Sequence, residues 1–393
     1  MNRLIIMSFL LLLPFLFSCQ NNNHHGANAK VTINSLYLDE QFLKQASFTV
    51  ESEQDIFMID DDMLLFVEND LNKISNPRKK ALKLLNHIFS QEALALSYSN
   101  NANLIAREAY HGNTANCMSL TIMAYTLAKA ANLSVNFQQV DVPEYWVRNG
   151  QYNVRTGHVN LLVKLTNTHN KHIVFGSDNV VIDFDPFVSK KKFNERVIDK
   201  NTVLAMFYNN KGSQALVDKK HDIAYQYFKA ATQADINFSA AWGNLAVLYR
   251  LTGNDKEAEN TYRYALKANP KNLTALTNLA ILLRSQNRLA EANVIDNKLL
   301  NKRKMNPYYH ALLADEAYYK NDYSQAIKHF KDATALNSKI HEFYFGMAKT
   351  YYQMNRFSKA ERSLKKAMVL SKVPSTEQLY AAKLNVLKAY IAN

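Results

Sequence analysis

SAAWGNLAVLYRLTGNDKEAENTYRYALKANPKN, residues 239–272, reads as two amphipathic helices joined by a turn at Thr252-Gly253-Asn254. The same unit returns every 34 residues, with matching positions starting at Ala205, Ser239, Leu273, Pro307 and His341. At the eighth place stand Gly212, Ala246, Ala280, Ala314 and Ala348, and at the twentieth Ala224, Ala258, Ala292, Ala326 and Ala360. Small residues at both places are what two closely crossing helices need. Bulky residues fill the space between them, as Trp242, Leu245, Tyr249 and Tyr262 do in the best copy, which ends in Pro270. A period of this length predicts a stack of helix pairs, each burying its apolar face against the next.

The pattern resembles the tetratricopeptide repeat. That resemblance implies an all-α right-handed solenoid of five copies over residues 205–374, the first and third degenerate, closed by a solvating cap helix over residues 375–393. It also implies a concave groove that receives an extended peptide or a helix of a protein partner. Asn244 and Asn278, with Arg250 and Arg284, occupy equal places on the first helices of consecutive copies. They form a candidate partner-binding ladder suited to backbone or carboxylate capture; the alternative is a solvated helix face.

Working back toward the N-terminus, GNTANCMSLTIMAYTLAKAANL from Gly112 to Leu133 carries the chemistry. Turn-forming residues Gly112, Asn113 and Thr114 precede Cys117, and Leu120, Met123, Ala124, Leu127 and Ala131 then recur at helical spacing, which predicts an amphipathic helix from near Asn116. A sulfur in the first turn of a helix meets unpaired N–H groups and partial positive charge, an environment that favours a thiolate and supplies donors to an oxyanion. Cys117 is therefore the candidate nucleophile.

Around it, Pro77 opens a predicted helix whose face is Leu82, Leu85, Ile88 and Phe89, and Asp60, Asp61 and Asp62 read as a solvated turn or helix start. Val135 to Val140 reads as a strand, and VPEYWVRNGQYNVRTG as a loop in which Trp146 and Arg148 line a groove or anchor the loop. GHVNLLVKL from Gly157 alternates, with Val159, Leu161, Val163 and Leu165 on one face and His158 and Asn160 on the other, His158 at the strand start. VVIDFDP from Val180 buries Ile182 and Phe184 and turns Asp183 and Asp185 to the opposite face. If these two strands pair antiparallel, an aspartate comes within reach of His158. Thiol catalysis needs a base to hold the thiolate and a carboxylate to orient the base.

Over roughly residues 75–190 this order, Cys then His then Asp, resembles the transglutaminase-like superfamily of papain-type α+β folds. The resemblance implies Cys117 as nucleophile, His158 as base and Asp183 or Asp185 as the orienting carboxylate. Asp185 precedes Pro186, a common bacterial ending, while Asp183 stays inside a regular strand and is slightly preferred. Asn116 stands where the family often has Gly or Gln and, through side chain or backbone, is the candidate oxyanion donor. The implied chemistry is acyl transfer on peptide or isopeptide amides, hydrolysis favoured over cross-linking, with no metal and no organic cofactor. His111 and His87 receive no role.

Residues 1–18 read as an export signal, with Arg3 followed by an apolar run from Leu4 to Phe17 that is short for a bilayer span. Leu16-Phe17-Ser18-Cys19 resembles the lipobox of bacterial lipoproteins, which implies lipidation at Cys19 and a tether over residues 19–30. Gln20 in place of Asp implies an outer-membrane anchor facing the periplasm. His24 and His25 fall in that tether and read as solvated linker. Once Cys19 carries lipid, Cys117 has no intramolecular disulfide partner. The net charge of +13 is scattered over helix faces without a nucleic-acid motif, which argues against nucleic acid and for anionic lipid or cell-wall material. The domain division expected is 31–204 for the thiol domain and 205–374 for the repeats. A non-catalytic scaffold for envelope assembly and a peptidoglycan-binding lipoprotein are the rival readings.

Overall fold

The computed structural model describes residues 33–43, 48–89, 97–98, 102–149, 152–165, 179–184, 193–371 and 374–392. Among the described residues no helix is long and apolar enough to cross a membrane.

The N-terminal half combines helices with a small sheet. Strands β1 (Ser97–Tyr98) and β2 (Thr114–Ala115) form a short parallel pair just before the cysteine helix, Cys117–Ala130. Strands β3 (Ser134–Asn149), β4 (Tyr152–Lys164), β5 (Val180–Ile182) and β6 (Glu195–Ile198) form an antiparallel sheet in the order β5-β4-β3-β6. The segment expected as a loop is thus the outer part of a long hairpin. Its Val, Tyr and Trp content suits paired strands. Register breaks between Val140 and Tyr145: Val140 pairs with His158 and Tyr145 with Thr156, so four residues of β3 oppose Gly157 alone. A bulge of this kind bends the strand. His158 consequently lies within β4, not at its start.

Two helices differ from expectation. The Pro77–Phe89 helix buries Ala81, Leu84 and Ile88, while Leu82 and Phe89 are exposed. The cysteine helix is buried on almost every side, including Ser119, Thr121 and Thr126, because few of its residues are charged and it runs through the middle of the core. Asp60 caps the helix Asp61–Phe66 by accepting from the Met63 N–H at 3.0 Å, and its other oxygen holds His111 at 2.8 Å. His87 stacks on Phe66. Both histidines are structural.

From Lys200 onward the described chain is helical. Five helix pairs follow: Lys200–Val217 with His221–Ala234, Ser239–Leu251 with Asp255–Ala268, Leu273–Ser285 with Leu289–Arg303, Pro307–Tyr319 with Tyr323–Leu336, and His341–Gln353 with Phe357–Leu370. Pro374–Ala392 caps them, burying Tyr380, Leu384 and Leu387. Each first helix ends at a residue of positive φ, namely Lys219, Gly253, Asn287, Asn321 and Asn355, spaced like the sequence repeat. Gly and Asn adopt this left-handed conformation at least cost. Small residues sit where the helices cross: a Cβ on Gly212 would come within 2.7 Å of the Phe228 ring.

The two halves share their packing. The first repeat helix begins five residues before the expected Ala205, and its Val203, Leu204 and Phe207 join the N-terminal core with Leu84, Met123, Leu127 and Leu161. Conversely, Leu36 and Phe42, expected in the thiol domain, pack in the repeat core beside Tyr225, Trp242 and Tyr249. Both are large apolar side chains that an early helical turn delivers to the nearest open hydrophobic surface, here the second helices of the first repeats.

Candidate functional site

Asn116 begins the site by ending the extended chain. Its side-chain oxygen accepts from the Ser119 N–H at 2.8 Å and caps the helix, leaving Cys117 as the first helical residue. Its amide group donates to Asn103 at 2.7 Å, and its backbone N–H to Ala102. Ser119 completes the clamp, donating to Ala102 while accepting from the Leu104 N–H. The Asn116 side chain, expected as an oxyanion donor, has its polar groups engaged in building the cap. The first-turn N–H groups of Cys117 and Met118 are the donors that a helix start leaves without intrahelical acceptors.

Cys117 is partly exposed. Its sulfur is 3.6 Å from His158 Nδ1 and 3.4 Å from the Val159 carbonyl. His158 Nε2 is 2.9 Å from both oxygens of Asp183. A carboxylate only accepts, so Nε2 carries the proton and Nδ1 faces the sulfur. Burial alone would depress the His158 imidazole, but its hydrogen bonds to Asp183 and Cys117 outweigh that and push it up to about 10. The side chains of His158 and Asp183 are 4% and 5% exposed. A buried imidazole is thus held between a carboxylate and a sulfur that solvent reaches.

The sheet sets this line. Leu161 pairs with Ile182, which puts Asp183 one step beyond, across from Asn160 and on the His158 face. Asn160 donates its amide to Asp183 at 3.1 Å. This residue carried no assignment in the sequence, although strand alternation had already set it beside His158. Asp185, the alternative carboxylate, and Cys19 lie outside the described residues.

The ladder on the repeats does not project as a unit. Asn244 donates to Asn209 at 2.8 Å and to Ser213 at 3.2 Å on the preceding first helix. Arg284 is paired with Asp296 on the second helix of its own repeat. Arg250 and Asn278 are half-buried. Asn244 and Arg284 thus join helices together, while Arg250 Nε is buried without a hydrogen-bond partner among the described residues.

What does meet the repeats is the β3–β4 hairpin. Arg303, 4% exposed, ends the third helix pair and forks onto Glu144 of β3, Nε to Oε2 at 2.9 Å. It also donates to Thr277 at 2.9 Å and lies over the Trp146 ring, 5.0 Å from its centroid. Asn306 donates to the Glu144 carbonyl at 2.8 Å. Trp146 thus anchors the hairpin on the solenoid; the Arg148 side chain lies outside the described residues.

Comparison with known proteins bears on the C-terminal half. Family models described as tetratricopeptide repeat match residues 239–272, 256–316 and 312–370. Photosystem I assembly protein Ycf3 of Prochlorococcus marinus (strain NATL1A) is 28% identical over 99 residues, 24% of this chain, and the match spans 57% of that protein's length. The same protein from strain NATL2A matches equally. Among solved structures, Pseudomonas aeruginosa pilF aligns at 19% identity and TM-score 0.30, covering 49% of this chain and 87% of that one. YrrB, a TPR protein with an unusual peptide-binding site, aligns at 18% identity and TM-score 0.26, covering 46% and 92%. The C-terminal region of this chain is an all-helical solenoid of tetratricopeptide repeats, an architecture for binding protein.

Proposed function

We propose that this chain is an envelope lipoprotein with a transglutaminase-like thiol site of papain type, whose repeats hold a protein partner or substrate near that site. One observation carries the reading: a solvent-reached sulfur, an imidazole and a carboxylate stand in a single line, with separations of 3.6 and 2.9 Å. Cys117 attacks an amide carbonyl as thiolate, and the oxyanion forms against the first-turn N–H groups. His158 gives its proton to the leaving amine, and water, deprotonated by the imidazole, resolves the thioester. Asp183 keeps the ring oriented and supports its charged form, and Asn160 steadies Asp183. Hydrolysis of a peptide or isopeptide bond is favoured over transfer to an amine. Cys19 carries the lipid and residues 19–30 the tether, on the outer membrane facing the periplasm.

A second reading, a non-catalytic scaffold for envelope assembly, is favoured by the repeats and by curated relatives that are themselves assembly proteins. Replacing Cys117 with Ala separates the two. An enzyme keeps capture of its partner and loses amide cleavage of that partner or its peptides; a scaffold keeps both its capture and its cellular phenotype. Cys19→Ala tests the anchor: loss of a lipid-sized mass and of membrane sedimentation is expected, and unchanged mass refutes lipidation.

A further inference from the structure

The fourth repeat brings together three ligand-type side chains that the thiol site does not use. His310 lies on the helix Pro307–Tyr319, and His329 and Asp332 lie three residues apart on Tyr323–Leu336. One ligand atom from each falls within 4.8 Å of the others. His310 Nε2 is 2.9 Å from the Lys304 carbonyl. A carbonyl accepts only, so the proton is on Nε2 and Nδ1 offers a lone pair, with the ring fixed as outer partners fix metal-bound histidines. Nδ1 of His310 and Nδ1 of His329 are both buried without a hydrogen-bond partner among the described residues. Asp332 Oδ2 is 3.9 Å from each, too far to satisfy either. Three donors converge without serving one another.

We propose that His310 Nδ1, His329 Nδ1 and the Asp332 carboxylate bind a first-row divalent cation of the zinc class, stapling the two helices of the fourth repeat. Two imidazoles and one carboxylate suit such an ion, with bonds of about 2.0–2.1 Å and donors roughly 3.3 Å apart in a tetrahedron. The three ligand atoms, within 4.8 Å of one another, would draw together on such an ion. The site also answers a local weakness. The helix Pro307–Tyr319 fully buries only Ala314, and the core around it is small, comprising Ala314, Phe330, Ala333, Ile340 and Phe343. A metal that binds the folded pair and not the open chain stabilises it in proportion to its affinity.

The test uses the full chain with Cys117→Ser, so that the thiol does not compete, stripped with chelator and titrated with Co2+ by visible absorption and Zn2+ by calorimetry. One ion per chain is expected, with the d–d bands of a low-coordinate nitrogen and oxygen site and a higher melting temperature in Zn2+. Asp332→Asn, at a half-exposed position, should bind at least about tenfold more weakly and His329→Ala should lose the bands. Both should keep the helical circular dichroism of the parent without metal. Absence of binding, or equal binding in parent, Asp332→Asn and His329→Ala, overturns the proposal.

Discussion

The solenoid and the thiol line are built on opposite principles. In the repeats, each structural demand is met five times: a small residue where helices cross, a left-handed residue at 219, 253, 287, 321 and 355, and a bulky filler between. In the thiol line each residue occurs once, and Cys117, His158 and Asp183 are joined across 41 and 25 residues of chain. Local, redundant order tolerates a poor copy. A single long-range constellation depends on every element that aims it, here a cap, a bulge and a strand register.

The largest effect should come from cutting the two regions apart. Arg303→Met removes the guanidinium that bridges Glu144 and Thr277 and lies over the Trp146 ring, a loss on the order of 3 kcal/mol. Denaturant unfolding followed by Trp146 and Trp242 fluorescence should then split into two transitions; a single unshifted transition would show that this contact does not couple the halves. Next, Gly346→Ala drives a methyl into the Phe330 ring where the fifth repeat packs on the fourth. The overpacking costs about 1–3 kcal/mol, lowering the helical melt while Cys117 reactivity stays unchanged.

The pH dependence sharpens the comparison from the other side. His158 is raised from 6.5 to about 10 in the folded chain, so between those values the folded state holds a proton that the unfolded state has lost. Its stabilising contribution is full below about pH 6.5 and is lost as pH rises toward 10. In the Arg303→Met background, His158→Gln should flatten that slope in the N-terminal transition and leave the repeat transition as it was. The smallest effect is Asn160→Ala, which removes one hydrogen bond to Asp183, about 1–2 kcal/mol, and should slow Cys117 alkylation by a fewfold.

These differences also explain what the residues disclosed before any coordinates. Periodicity found the helix pairs because it averages over five copies, and the strand alternation through Val159, Leu161 and Val163 correctly turned His158 and Asn160 to one side. Three things escaped it. The stretch from Val142 to Gly157, rich in aromatic and basic residues, looked like a loop, although its pairing is set by the partner strand. Asn116 looked like an oxyanion donor because its chain neighbour is the cysteine, whereas Asn103 and Ser119 claim its polar groups. Arg284 looked free on a helix surface, yet Asp296 takes it. In each case the deciding partner is distant in sequence or on a neighbouring helix, where no local pattern records it.

The most direct measurement is the rate at which a thiol-directed electrophile modifies Cys117 in the folded chain at neutral pH, against the same chain unfolded in urea and against His158→Ala. A thiolate paired with His158 should react faster than both controls. A folded rate no greater than the unfolded one, and unchanged in His158→Ala, would contradict the central claim and leave a protein-binding solenoid with a structural cysteine beside it.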